Sequence, residues 1–166
     1  MEKQRTLLLL KPDAVVRQLV GRILARFEDA GLKVIGMKML WIDEKHAGEH
    51  YQKDIAEKHG ERVRNGLIKY IKEGPVIALV LEGVEAIAVT RKIVGSTYPN
   101  ESPPGTIRGD FAHISKHYAN AKAVNVRNLI HASENEKDAK REISLWFSPK
   151  DLHTYKTAHD RICFGE

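Results

Sequence analysis

Apolar residues recur along the chain in two rhythms. Val20, Ile23, Leu24 and Phe27 stand at i, i+3, i+4 and i+7, one face of a helix that Gly31 ends. Thr6 to Lys11 reads instead as a short buried strand stopped by Pro12, which cannot donate to a ladder, so Lys11 falls at a strand end. Leu32 to Ile42 predicts a second strand. Asp43 follows as an N-cap, and helical character then runs, with interruptions, to Lys72. Gly74-Pro75 closes that stretch. The continuous apolar run of Val76 to Glu82 predicts a third strand, buried on both faces and therefore central. Val84 to Val94 predicts a further helix, and Gly95 to Gly109, with three prolines and three glycines, a structured loop long enough to be functional. Asn125 to His131 reads as a fourth strand. Ser133 and Glu136 resemble a capping box ahead of Ala139, Ile143 and Trp146, which are spaced as on a helix. Strands thus alternate with helices, and either a split βαβ ferredoxin-like sheet or a doubly wound parallel sheet packs that order.

Length and composition narrow the picture. A chain of 166 residues suits one compact domain over 1–166, and 42% hydrophobic with 30% charged residues can bury a core under a charged surface. The longest apolar runs, Leu7 to Leu10 and Val76 to Leu81, fall far short of the roughly 20 residues of a membrane span. The opening Met1-Glu2-Lys3-Gln4-Arg5 leads into no signal-peptide core. Cys163 is alone, which fits a reducing compartment, and a cytoplasmic location is expected. Lysine and arginine exceed aspartate and glutamate by 27 − 22 = 5, a balance that favours polyanionic partners such as nucleotides, nucleic acid or anionic membranes.

Several segments carry candidate chemistry. Neither a Walker A loop nor a dinucleotide glycine fingerprint occurs, so a phosphate site needs another device. Pro104-Gly105-Thr106-Ile107-Arg108-Gly109-Asp110 brackets Arg108 between glycines, offering a forked donor on a sharply turned backbone; the plainer alternative is a surface arginine paired with Asp110. His131 follows an apolar strand and precedes a helix, a placement that suits a nucleophile, and Glu142 is the carboxylate that would fix its tautomer. His46-Ala47-Gly48-Glu49-His50 matches the H-x-x-E-H spacing of one zinc-protease class, but such a site needs a third ligand from a separate helix, and Gly48 weakens the helix that would aim the pair. His113 and His117 also stand four apart, and neither pair is read as metal-binding.

Taken in order, Leu10-Lys11-Pro12-Asp13, Gly74-Pro75-Val76, Pro104 to Phe111 and Asn128-Leu129-Ile130-His131-Ala132-Ser133, followed by Glu142 and Trp146-Phe147, closely resemble the nucleoside diphosphate kinase family. The resemblance selects the α+β ferredoxin-like βαββαβ fold: a four-stranded antiparallel sheet with helices packed on it, additional helices and a long active-site loop. It implies a ping-pong cycle in which His131 takes the γ-phosphate of a nucleoside triphosphate and passes it to a nucleoside diphosphate. By the same matching, Glu142 orients His131. Lys11, Tyr51, Arg91, Thr97, Arg108 and Asn128 line the phosphate and ribose site, with Lys11 also catalytic. Mg²⁺ arrives on the nucleotide phosphates, so no protein metal ligand is expected. A homo-oligomer, hexameric or tetrameric and built from dimers, is implied, with no requirement for nucleic acid or a membrane.

Two departures stand out. Alignment on Gly66-Leu67-Ile68-Lys69-Tyr70 puts Val63 where many relatives stack a phenylalanine on the base. The stretch from about 112 to 127 is longer than the common family pattern and carries Lys116, His117, Tyr118 and Lys122, so it reads either as a lid or base contact or as a solvated extension. Two rivals to the kinase reading are a nucleotide-binding protein that lost turnover and, more remotely, a zinc peptidase.

Overall fold

The computed structural model describes Lys3 to Gly165. Its centre is a four-stranded antiparallel sheet in the order β2-β3-β1-β4, made of β1 (Gln4–Leu10), β2 (Lys33–Leu40), β3 (Val76–Gly83) and β4 (Ile130–Ala132). This is the expected ferredoxin-like arrangement, and β3 is central as its unbroken apolar run requires.

Alternation along β1 feeds two cores. Leu8 and Leu10 join Leu79 and Leu81 beneath α1 (Pro12–Val16), α2 (Val20–Asp29) and α6 (Ala86–Val94). Leu7 and Leu9 join Val76, Ala78 and Val80 against α3 (Glu44–His50), α5 (Glu61–Ile71) and α9 (Glu136–Trp146). Ile23 and Phe27 of α2 are fully buried, as their spacing predicts. Asp43 caps α3 by accepting from the His46 amide at 2.8 Å. The interrupted helical stretch resolves into α3, α4 (Lys53–His59) and α5, with Gly60 at φ +91° between the last two. A register shift between Val34 and Gly36 exchanges the faces of β2, so Ile35 is buried whereas Met37 and Met39 emerge exposed.

Three sequence expectations change. The fourth strand is only three residues long, because Leu129 at φ +68° breaks the extended run and its amide and carbonyl are taken by the Asp13 carboxylate and the Lys11 amide. The Gly95–Gly109 loop is partly helical, containing a turn of 3₁₀ helix at Pro99–Glu101 and the start of α7 (Ile107–Phe111). Ser133 caps nothing: the α9 cap is Asn135, which accepts from the Asp138 amide. Residues 112–127 hold a short helix, α8 (Lys116–Ala121), capped by Ser115. Asn125 ties that stretch to α5 by donating to the Gly66 carbonyl at 2.9 Å. A last helix, α10 (Ala158–Phe164), returns against the start of β1, where Asp160 pairs with Lys3 at 2.6 Å.

Candidate active site

Backbone order builds the site where β1 ends beside the start of the antiparallel β4. β1 stops at Leu10 because Pro12 enters α1, and this leaves Lys11 as the helix N-cap, its side chain buried. Its Nζ donates to Asn128 Oδ1 at 2.8 Å and lies 5.0 Å from the centre of the Tyr70 ring. Asn128 in turn donates from Nδ2 to the Thr97 carbonyl. Asp13 braces the same corner, accepting from the Tyr70 hydroxyl at 2.6 Å and from the Leu129 amide at 3.1 Å. These bonds hold the left-handed Leu129 immediately before β4, a conformation that costs on the order of 1–3 kcal/mol and persists only where its surroundings over-determine it.

His131 sits in β4 opposite Leu9, with its side chain about a quarter exposed. Its Nε2 lies 3.0 Å from Glu142 Oε1. Glu142 is buried on α9, and its other oxygen accepts from the Ser133 hydroxyl at 2.6 Å, while Ser133 Oγ itself accepts from the Leu7 amide at 3.1 Å. Ser133 thus fastens the carboxylate to the sheet rather than starting a helix. Burial would raise the Glu142 pKa, but the His131 ring, its hydrogen bond, the Ser133 hydroxyl and Arg141 together outweigh that and lower it. An ionised carboxylate on Nε2 retains the proton there and leaves Nδ1 with its lone pair.

Positive charge gathers around this ring. Burial, and then the Arg108 charge, pull the Lys11 ammonium down to about 7, with Asp13 opposing and Arg127 adding. Arg108 is buried, and its pKa is lowered to about 10 chiefly by burial. It is not paired with Asp110, which instead bonds Arg26 at 2.8 Å. Arg108 grips four backbone carbonyls: Asn128 (3.1 Å), Gly95 (3.2 Å), Ser96 (2.9 Å) and Ile130 (2.6 Å). Of its five N–H donors, at most one remains for a ligand. Its placement therefore staples the Gly95 turn to β4. Arg91 is exposed on α6, near enough for its charge to help lower Arg108, and Thr97 is exposed in the adjoining turn. Val63 lies on α5, 44% exposed.

Tyr51 ends α3, buried, with its hydroxyl lacking a partner. Burial raises its pKa, so it stays a neutral donor. The H-x-x-E-H pair does not converge on itself: His46 packs edge-on against Trp146 at 4.4 Å, while His50 packs against His131 at 4.6 Å. Sequence reasoning passed over His50, Ser133, Asp13 and Tyr70 as site-builders. His50 carried a signal in its motif, but for the wrong chemistry.

A sheet end that presents a carboxylate-held histidine among buried cations is an arrangement suited to phosphoryl transfer, here on a ferredoxin-like frame. The sequence profile of the nucleoside diphosphate kinase family matches residues 4–152. Nucleoside diphosphate kinases of Borreliella burgdorferi and Pyrococcus horikoshii are 49% and 48% identical over 92% and 96% of this chain, covering 92% and 94% of their own lengths. The Borrelia burgdorferi enzyme, solved as a transition-state mimic with vanadate and ADP, superposes with a TM-score of 0.93 at 48% identity, over 96% of this chain and 95% of that one. An NDP kinase from Pyrobaculum aerophilum superposes at 0.82 with 34% identity, over 92% of this chain and all of that one. The chain belongs to the nucleoside diphosphate kinase family and is a phosphotransferase.

Proposed function

We propose that this kinase carries the phosphoryl group on His131. The observation that carries the reading is the His131–Glu142 bond of 3.0 Å with Glu142 itself pinned by Ser133. Nδ1 attacks the γ-phosphorus, the N–P bond forms, and the bond to the bridging oxygen breaks, its electron pair leaving with the nucleoside diphosphate. Nε2 keeps its proton, and Glu142 balances the positive ring. A terminal oxygen of a second nucleoside diphosphate then attacks the same phosphorus, and the pair returns to Nδ1. No proton has to move, so the work falls to preorganised charge.

Lys11, the Tyr51 hydroxyl, Arg91, Thr97 and Asn128 are assigned to the phosphates and ribose of the nucleotide. Arg108 contributes mainly its charge, because its donors are engaged. The oxygens of Asp13 and Glu142 are also engaged, so the carboxylates of this corner do not form a cation cage. That donor set fits Mg²⁺ held by the nucleotide phosphates, whose negative charge it would neutralise. Val63 offers no aromatic face to the base, and α8 with Asn125 forms the insertion beside it within a single domain. Met37, Met39 and Trp41 lie exposed along the edge strand β2 and beyond it. Such an apolar edge supports a homo-oligomer built from dimers. The described residues contain no helix long and apolar enough to cross a membrane, and a cytoplasmic setting is part of the same proposal.

Incubation with γ-labelled ATP and separate quenching in acid and alkali tests the carrier. Label that survives alkali, is lost in acid, is discharged by any nucleoside diphosphate and is absent from His131→Gln is expected. Transfer activity retained in His131→Gln would overturn it.

A further inference from the structure

His50 is 2% exposed, and its two ring nitrogens have unlike surroundings. Nδ1 accepts from the Trp146 indole N–H at 3.3 Å. Nε2 is buried with no hydrogen-bond partner. An indole only donates, so Nδ1 must be unprotonated, and a neutral ring then carries its proton on Nε2. Protonation of both nitrogens is opposed by burial first and then by His131, Arg141, Lys11 and His46, which together hold the His50 pKa well below the ordinary histidine range.

This ring stands at 87° to that of His131, centroid to centroid 4.6 Å, and at 68° to that of Tyr51 at 4.7 Å. The His131 side chain is thereby bounded on two sides: Glu142 fixes Nε2, and the His50 ring lies perpendicular to the imidazole plane. One hydrogen bond leaves the ring free to swing about the bond axis. A perpendicular neighbour removes that freedom, and in-line attack tolerates little misdirection of the nitrogen lone pair.

We infer that His50 is a positioning residue of the phosphoryl-transfer site: its imidazole, fixed in one tautomer by the Trp146 indole, sets the plane of the His131 ring. The inference rests on His131 being the phosphoryl carrier. His50, His131 and Glu142 also offer ligand atoms within 4.8 Å of one another, as a metal ion would need. A proton on His50 Nε2 and an indole on Nδ1 close both nitrogens to a metal, so positioning is the role the geometry favours.

Labelling of the wild type by γ-labelled ATP tests the carrier separately, and the following experiments bear on His50. Side-chain ¹⁵N spectra of the wild type are expected to show His50 with protonated Nε2 and unprotonated Nδ1, staying neutral as pH falls through 6. The opposite tautomer overturns the inference. In single-turnover phosphorylation, His50→Asn, which keeps an acceptor for Trp146 but removes the ring, is expected to slow the step about tenfold or more with nucleotide affinity changed less than twofold. His50→Phe, which keeps the ring, is expected to recover most of that rate. An unchanged rate in His50→Asn, or no recovery in His50→Phe, overturns the role of the ring plane. Stoichiometric zinc binding that His50→Asn abolishes also overturns it, because Nε2 would then be unprotonated.

Discussion

At the scale of single residues, Lys11 shows how a functional group is held at a cost. Burial first, and then the Arg108 charge, lower the pKa of its ammonium from 10.5 to about 7. The folded state therefore binds fewer protons than the unfolded chain between those values. The resulting penalty is full below about pH 7 and vanishes above about 10.5. Lys11→Met is expected to raise stability by about 1 to 4 kcal/mol at pH 6 while abolishing transfer. The difference between the two proteins, followed by urea denaturation, should shrink as pH rises towards 10. Ser133 makes the reverse case, since its hydroxyl serves both Glu142 and the buried Leu7 amide. Ser133→Ala should cost about 1 to 3 kcal/mol, and it should slow phosphorylation about tenfold by releasing Glu142, read from the same denaturation and a single-turnover assay. Val63→Phe should tighten nucleotide binding, because an aromatic stack is worth roughly 1 to 3 kcal/mol, and calorimetry on ADP measures it.

Among the elements, the loop from Gly95 to α7 depends on close backbone approach. A Cβ at Gly109 would clash with the Pro103 carbonyl oxygen, which is backbone and cannot yield as a flexible side chain can. Gly109→Ala is expected to cost about 1 to 3 kcal/mol by forcing the loop outward. It should also disturb Arg108, one residue earlier, and so weaken transfer, which distinguishes it from a remote surface change. The short β4 follows a similar logic. A longer strand is what the apolar pattern of Asn125 to His131 calls for, but Asp13, Arg108 and Lys11 claim the backbone groups before Ile130. The ladder is sacrificed, and the turn that presents His131 is gained.

For the whole molecule, the β2 edge is the feature that the isolated chain leaves exposed. Met37, Met39 and Trp41 are 58%, 61% and 71% accessible, which is unusual for three neighbouring large apolar side chains on one edge. Met37→Lys combined with Met39→Lys is expected to shift the protein towards smaller species in sedimentation velocity while leaving the helical content unchanged. A distribution identical to the wild type would show that subunits meet elsewhere.

The hydrophobic rhythm determined most of the architecture: α2, the central β3 and the strand end at Lys11 are local consequences of apolar spacing, proline and glycine. His131 and Glu142 were legible as a pair because nearby motifs carry both residue types in order. Tertiary structure alone decided which groups those residues meet. The distant Trp146 sets the tautomer of His50, Ser133 clamps a carboxylate within α9 instead of capping that helix, and Arg108 directs its donors to carbonyls from two separate segments. Such choices depend on which buried polar groups the fold brings within about 3 Å, and most of them pair wherever the packing places a partner. Sequence spacing holds no record of that proximity.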